Sequence, residues 1–425
     1  MTLKERITGS KILREMATLM SGSVVAQFIA FAAYLVLLRI FSPEDFALFN
    51  IFFSYIEVLV IASTWKYEMA IVSADDEMES AAVARFALRL NMLVSFILLA
   101  VVAVLCFSHA LPGNFAQLGT IALLIPPMVF LAGSSRVYTE LFNRVRHYRT
   151  IAANVTLNAL ATAVIKAVLG LLGFHRSGMP LGVVASQTVS NLYFRLRLRA
   201  LHLPPTTRRQ RLDAALKYRR MPFFVATKDF VNAFSYNLPF LWLALYVDSA
   251  EMGLFALALM VTSRPALMVN GVGERVLYAR TAEAVRSKES IWRPIVRYLL
   301  VVGAVALPVC GMMAVWGEPI LSFLFGSKWD GCGLYVRLLL PWMFLSLGST
   351  PLTFLSIVFS VQNVEFRFFV VLCLLRLAAV AVGVASGRFL LSLTLYATAG
   401  ALVSVSLLLW YLALMRRYER QLVKG

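Results

Sequence analysis

Ser42-Pro43-Glu44-Asp45-Phe46-Ala47-Leu48-Phe49 sits between two apolar runs, and 206 positions later Asp248-Ser249-Ala250-Glu251-Met252-Gly253-Leu254-Phe255 sits between two more. The same offset carries Glu68 onto Glu274, and an offset of 215 carries Pro126, Met128, Gly133 and Ser134 onto Pro341, Met343, Gly348 and Ser349. Apolar segments share a reduced alphabet and resemble one another by chance. These matches, however, run in register order and fall on landmarks of the sequence. The chain therefore reads as a duplication, its first half repeated in its second.

Working outward from these hairpins, apolar runs of about twenty residues recur to both ends, each long enough to cross a hydrocarbon core of about 30 Å as a helix. The composition, 60% hydrophobic and 15% charged, excludes a soluble globule, in which about a quarter of residues are charged. The expected fold class is an all-α polytopic membrane protein. Its twelve helices are predicted at about 16–41, 47–72, 82–107, 117–139, 151–173, 180–200, 221–247, 251–278, 293–316, 331–359, 365–386 and 388–415. Ser42-Pro43-Glu44-Asp45 is read as the cap of the second, Asp248-Ser249 as the cap of the eighth, and Gly113 and Gly326 as turn residues. Arg195, Arg197 and Arg199 occupy the last turns of span six, so whether it fully crosses stays open. Glu318 to Phe325 is apolar but too short to cross and reads as an interfacial helix.

The resulting organisation is a six-helix bundle in 1–200, a basic cytoplasmic linker in 201–220 and a second six-helix bundle in 221–425. Six is even, so both copies enter the membrane from the same side as a parallel repeat. Two such bundles leave a cavity between them, and rocking one on the other exposes it to the two sides in turn. That geometry implies transport.

Lys and Arg concentrate in alternate loops, including Arg144, Arg146 and Arg149, Arg208, Arg209 and Arg211, and Arg416, Arg417 and Arg420. The opposite loops hold only Arg176, Lys328 and Arg388. The basic set is expected in the cytoplasm with both termini. This bias also accounts for the net charge of +18 without a nucleic-acid partner. The charged opening MTLKERITGSKILRE lacks a signal-peptide pattern, so the first span is expected to be retained. Of the four cysteines, only Cys332 falls in an expected loop, and no spacing suggests a disulfide framework, a metal site or another cofactor.

Leu37-Leu38-Arg39-Ile40-Phe41 leading into the Ser42 to Phe49 hairpin, then Tyr67-Glu68-Met69-Ala70-Ile71-Val72 and the acidic Asp75-Asp76-Glu77, resemble the opening of bacterial polysaccharide flippases. These are the Wzx-type O-antigen and exopolysaccharide translocases of the multidrug/oligosaccharidyl-lipid/polysaccharide exporter superfamily. Many relatives carry two further spans at the C-terminus. The resemblance implies a V-shaped pair of six-helix bundles with helices one, two, seven and eight lining a central cavity. It also implies a polyprenyl-diphosphate-linked oligosaccharide as the substrate, moved across the bacterial inner membrane from the cytoplasmic to the periplasmic leaflet.

Charges inside a bilayer are costly and commonly face a cavity or a partner. Glu57 and Arg264 lie roughly 15 and 20 Å below the outer ends of their predicted spans, at nearly equivalent places in the two repeats. Lys66 and Glu68 on span two answer to Glu274 and Arg275 on span eight, and Lys228 and Asp229 lie about two turns into span seven. A diphosphate stripped of water needs cations, and Arg264, Lys228, Lys66 and Arg275 would supply them. Lys66 and Arg275 could equally snorkel to lipid headgroups. Glu57, Asp229, Glu68 and Glu274 are candidates for gating or for taking up a coupling proton or sodium ion. Lys166, Arg89 and Arg376 are expected to pair within a bundle or to reach lipid phosphates. Aromatic residues such as Phe52, Phe53, Tyr55, Phe234, Tyr236 and Trp242 read mainly as packing or lipid-facing groups, with sugar stacking as the alternative.

Two alternatives remain. An integral glycosyltransferase or polymerase could use Asp75-Asp76-Glu77 as a metal site, although the charge bias puts that motif in the cytoplasm and it also suits the start of a helix. A drug exporter of the same superfamily would favour an acidic, aromatic cavity.

Overall fold

The computed structural model describes residues 22, 24–108, 110 and 113–424, with side chains at all of these except 114, 220–224, 267–273, 275, 276, 279, 423 and 424. The opening charged segment lies outside the described residues. Every regular element among the described residues is helical, and twelve of the helices are long. They are α1 (Val24–Ile40), α2 (Pro43–Thr64), α3 (Glu77–Phe107), α4 (Ile125–Arg144), α5 (Tyr148–Leu171), α6 (His175–Leu198), α7 (Arg220–Leu241), α8 (Ser249–Arg286), α9 (Trp292–Phe325), α10 (Cys332–Ser349), α11 (Gln362–Ser386) and α12 (Phe389–Lys424). The expected all-α polytopic class is borne out.

Eight of these, α2 to α5 and α9 to α12, are long and apolar enough to cross a membrane, α4 and α10 together with adjoining short helical turns. α6, α7 and α8 have the length but are more polar, with Arg195 and Arg197 in α6, Lys228 and Asp229 in α7, and Arg264 and Glu274 in α8. Helices that keep such charges at membrane depth need a protein or water-filled environment on one side.

Local chemistry explains where several helices begin and end. Ser42 Oγ accepts from Asp45 N at 3.3 Å while Asp45 Oδ2 accepts from Ser42 N at 3.0 Å, a reciprocal capping box that starts α2 with Pro43 in its first turn. The equivalent Asp248 precedes α8, but its side chain accepts no capping bond, so the expectation of a second cap is corrected. α2 stops at Thr64, earlier than the hydropathy suggested, because Trp65 and Lys66 take left-handed conformations at φ 48° and 60°. A tight turn at Tyr67–Met69 and a short helix Ala70–Ser73 follow, so Lys66 and Glu68 lie beyond α2 rather than on it.

Glu318 to Phe325 is not a separate interfacial helix. It continues α9, since Pro319 removes only its own N–H from the helical ladder and the chain turns only at Gly326, φ 95°. The Glu318 carboxylate then accepts from Gly331 N and, at 2.6 Å, from Gly333 N, satisfying donors at the start of α10. Cys332 is likewise not in a loop. It begins α10, is fully buried, and its thiol lies 3.5 Å from Leu254 O.

The chain divides into two compact units, 1–233 and 234–425, the division falling inside α7. In the first, α4 packs on α2, α3 and α6, and α5 pairs with α6; in the second, α10 packs on α8, α9 and α12, and α11 pairs with α12. The helix pairing thus repeats six elements later. The landmarks repeat with it, since Met128 and Ser134 are buried in α4 as Met343 and Ser349 are in α10.

Candidate functional site

In the first unit the break after α2 brings charged groups together. Lys66 Nζ lies 2.8 Å from Asp229 Oδ2 on α7, with the two side chains 18% and 36% exposed. Two residues read separately in the sequence are therefore one ion pair. Glu68 is 3% exposed, and its Oε2 has no hydrogen-bond partner among the described residues. Glu140, in the last turns of α4, is within electrostatic reach of both Glu68 and Lys66 and accepts from Asn143 Nδ2 at 3.0 Å. Arg136, one turn earlier on the same face of α4, is half-buried with its Nη1 unpartnered among the described residues. Lys228 is half-buried beside Asp229 in the sequence of α7, and Glu57 is half-buried about 21 Å along α2. Sequence reading passed over Glu140 and Arg136, and the four-residue spacing of opposite charges within one helix was the signal that could have found them.

The turn holding Lys66 and Glu68 is pinned from outside. Arg144 donates to the carbonyls of Ile71, Val72, Ala74 and Asp76 at 2.7 to 3.3 Å. Asp76 caps α3, accepting from Glu79 N at 2.6 Å, as a helix start requires. Asp75 and Glu79 both grip Lys217 at the end of the linker helix Arg208–Lys217, at 2.7 and 2.5 Å. The hydrogen bond from Lys217, then its charge, holds the Asp75 carboxyl below its ordinary range, and Asp75 and Glu79 in turn push the Lys217 ammonium up. Arg85 on α3 donates to Leu203 O, Pro204 O and Thr206 Oγ1. The basic linker is therefore docked along the basic end of the first unit.

In the second unit Glu274 on α8 accepts from Thr353 Oγ1 at 3.4 Å. Glu365, 1% exposed, accepts from Ser356 Oγ at 2.6 Å and Tyr411 Oη at 3.3 Å. Arg264 is exposed, about 22 Å along α8 and just before Pro265. The backbone of Arg275 belongs to α8, but its side chain lies outside the described residues. Arg376 neither reaches the surface nor meets a carboxylate among the described residues, being 1% exposed between Trp342 and Tyr396. Lys166, in the first unit, is buried over the Phe49 ring at 3.9 Å.

No curated protein sequence matches the chain. Among solved structures, the inward-facing form of a multidrug resistance MATE family transporter of the MOP superfamily is similar at a TM-score of 0.65 and 14% identity, covering 93% of this chain and 96% of that one. A MOP superfamily transporter from Pyrococcus furiosus is similar at 0.66 and 15% identity, over 96% of each chain. The lipid II flippase MurJ in an inward closed conformation is similar at 0.66 and 12% identity, covering 95% of this chain and 91% of that one. At these identities the likeness shows the fold. The family is shown by sequence, since the model described as "Polysaccharide biosynthesis protein" matches residues 36–333. The chain thus belongs to the polysaccharide biosynthesis protein family and has the fold seen in MOP superfamily structures, which bears out its resemblance to Wzx-type flippases.

Proposed function

We propose that this chain is a flippase that moves a polyprenyl-diphosphate-linked oligosaccharide from the cytoplasmic to the periplasmic leaflet of the bacterial inner membrane by alternating access. The observation that carries the reading is the charged cluster after α2, where Lys66 pairs with Asp229 beside the buried Glu68, in a chain of the polysaccharide biosynthesis family. An unpaired charge in a largely buried setting is costly, and Asp229 is the partner that Lys66 holds until an anion arrives. An incoming diphosphate competes for Lys66, helped by Lys228 and Arg136, and leaves Asp229 free to accept a proton or sodium ion. Arg264 and Arg275 are the further cations that this reading assigns to the substrate. Glu57, Glu68, Glu140 and Glu274 are the further carboxylates through which such an ion would act. In this reading the chain acts as two bundles, 1–200 and 221–425, joined by the cytoplasmic linker 201–220, with both termini in the cytoplasm.

Deleting the gene in its host tests this. The expected result is loss of a surface polysaccharide together with accumulation of its completed lipid-linked repeat unit on the inner leaflet. An incomplete repeat unit, or unpolymerised units already on the outer leaflet, would instead indicate a transferase or polymerase and end the proposal. The three carboxylates around one lysine also suit export of a cationic compound. Raised sensitivity to cationic drugs with unchanged surface glycan would favour that second reading.

A further inference from the structure

Arg376, near the middle of α11, is a buried cation whose charge the transport reading does not use. The side chain is 1% exposed. Its guanidinium carbon lies 4.3 Å from the centre of the Tyr396 ring on α12 and 4.5 Å from that of Trp342 on α10, both rings being themselves buried. On the edge of the guanidinium, Nη1 donates to Ser235 Oγ on α7 at 3.3 Å, while Nε and Nη2 have no hydrogen-bond partner among the described residues. No carboxylate pairs with this residue among the described residues. The nearest acid on its own helix, Glu365, is three turns away and is held by Ser356 and Tyr411.

The aromatic rings offset charge at the guanidinium faces, but they cannot accept the in-plane N–H groups. Nε and Nη2 are adjacent donors on one side of the planar fork, the geometry that recognises an anion through two parallel N–H bonds. The surroundings hold this edge in place. Tyr396 Oη donates to Tyr236 O at 2.8 Å, which fixes the ring. Trp342 lies so close to α12 that a Cβ on Gly400 would meet its ring at 2.8 Å. Both groups are thus committed to positioning, and neither supplies the missing acceptor. A buried guanidinium with two donors unsatisfied among the described residues is costly, and an anion on that edge satisfies both donors and offsets the charge.

We propose that the second unit holds a small monovalent anion, chloride in the cell, on the Nε and Nη2 edge of Arg376 between α7, α10, α11 and α12. The near-complete enclosure of the side chain sets the size, since it excludes a lipid phosphate or a sugar acid and leaves only a monatomic anion to be accommodated. The site is separate from the charged cluster after α2 and is tested without any transport measurement.

The test uses the purified full-length chain in detergent, with thermal unfolding followed as sodium chloride replaces sodium gluconate at constant ionic strength. Saturable stabilisation by chloride and by bromide, with none from gluconate, is expected for the unaltered protein. Arg376→Lys keeps the buried charge but lacks the two-donor edge, so at least a tenfold higher chloride concentration should be needed for half the effect. Arg376→Gln should abolish it. Equal stability in chloride and gluconate overturns the proposal, as does a saturable chloride effect that persists unchanged in both variants. Should neither variant fold, bromide-soaked crystals of the unaltered protein decide by anomalous scattering, and absence of a bromide peak at the Nε and Nη2 edge overturns it.

Discussion

Replacing Lys66 by Gln, Asp229 by Asn, and both together separates a structural ion pair from one that handles substrate. The two charged atoms are 2.8 Å apart. At an effective dielectric near 20, unit charges about 3 Å apart attract by roughly 5–6 kcal/mol, while fully exposed pairs contribute about 0–1 kcal/mol. Lys66 is largely buried and Asp229 a little over a third exposed, so water screens most of the attraction and about 1–2 kcal/mol is expected to survive. Lys66→Gln has a second effect, because it removes the cation that pairs with Asp229 and also lies within electrostatic reach of Glu140. Each single variant should therefore lower the unfolding midpoint by about 2–8 °C, at roughly 2–4 °C per kcal/mol for a unit of this size. The double variant should fall by less than the sum, leaving a coupling of about 1–2 kcal/mol. Thermal unfolding in detergent measures this, and surface glycan display measures transport in the same variants. Strictly additive midpoint shifts would refute the pairing energy. Full glycan display in the double variant would refute a substrate role, because removing both charges together should restore stability but not the cation a diphosphate needs.

Three further outcomes are expected. The Lys217 latch should hold over a wide pH range. Asp75 is held low by the hydrogen bond from Lys217 and by its charge, so its contribution is full above the ordinary aspartate value of about 3.9 and is lost as pH falls through its lowered folded value. Lys217 is held high by Asp75 and Glu79, so its contribution is full below about 10.4 and is lost only as pH rises through its raised folded value. Hydrogen exchange of Arg208–Lys217 should thus show no latch opening between about pH 5 and 10, and Lys217→Ala should expose that helix at neutral pH; unchanged protection in the variant would count against the latch. The repeat-related glycines should differ in sensitivity. A Cβ on Gly133 would collide with the Asn91 amide, which donates to Phe130 O and Ser134 Oγ, whereas one on Gly348 would meet only the end of Leu408 at 3.3 Å. Gly133→Ala should cost about 1–3 kcal/mol and Gly348→Ala less, and equal midpoint shifts would contradict this. Finally, Cys332 should resist an impermeant thiol reagent in folded protein because it is buried, while Ser327→Cys, at an exposed position, should be labelled in intact cells; labelling of Ser327→Cys only after lysis would overturn the proposed orientation.

The parts of this fold that were legible in the sequence are those written in local or periodic signals. Long apolar runs give the helices, and the α2 capping box is contained in four consecutive residues. The ordered recurrence of Pro126, Met128, Gly133 and Ser134 at 341 to 349 anticipates a helix pairing that does repeat six elements later. What escaped lacks such signals. The break after α2 is made by Trp65 and Lys66 in left-handed conformations, and neither is a residue type that announces one. Pro319 suggests a boundary that does not form, because a proline omits one hydrogen bond while the rest of α9 persists to Gly326.

The charged sites escaped for a different reason. Lys66 and Asp229 are 163 residues apart, and the Arg376 cage draws on α7, α10, α11 and α12, so no window of sequence contains either. Sequence reading identifies which charges enter the membrane, since each is conspicuous against an apolar run. Packing decides what each charge meets. It makes Lys66 half of a pair, leaves one oxygen of Glu68 without a donor among the described residues, and encloses Arg376 between aromatic rings with two donors unmatched among those residues. The transport reading depends on the first two of these and the anion site on the third. They are therefore separable: losing chloride binding at Arg376 should leave the Lys66–Asp229 coupling intact, and breaking that pair should leave the response to chloride unchanged.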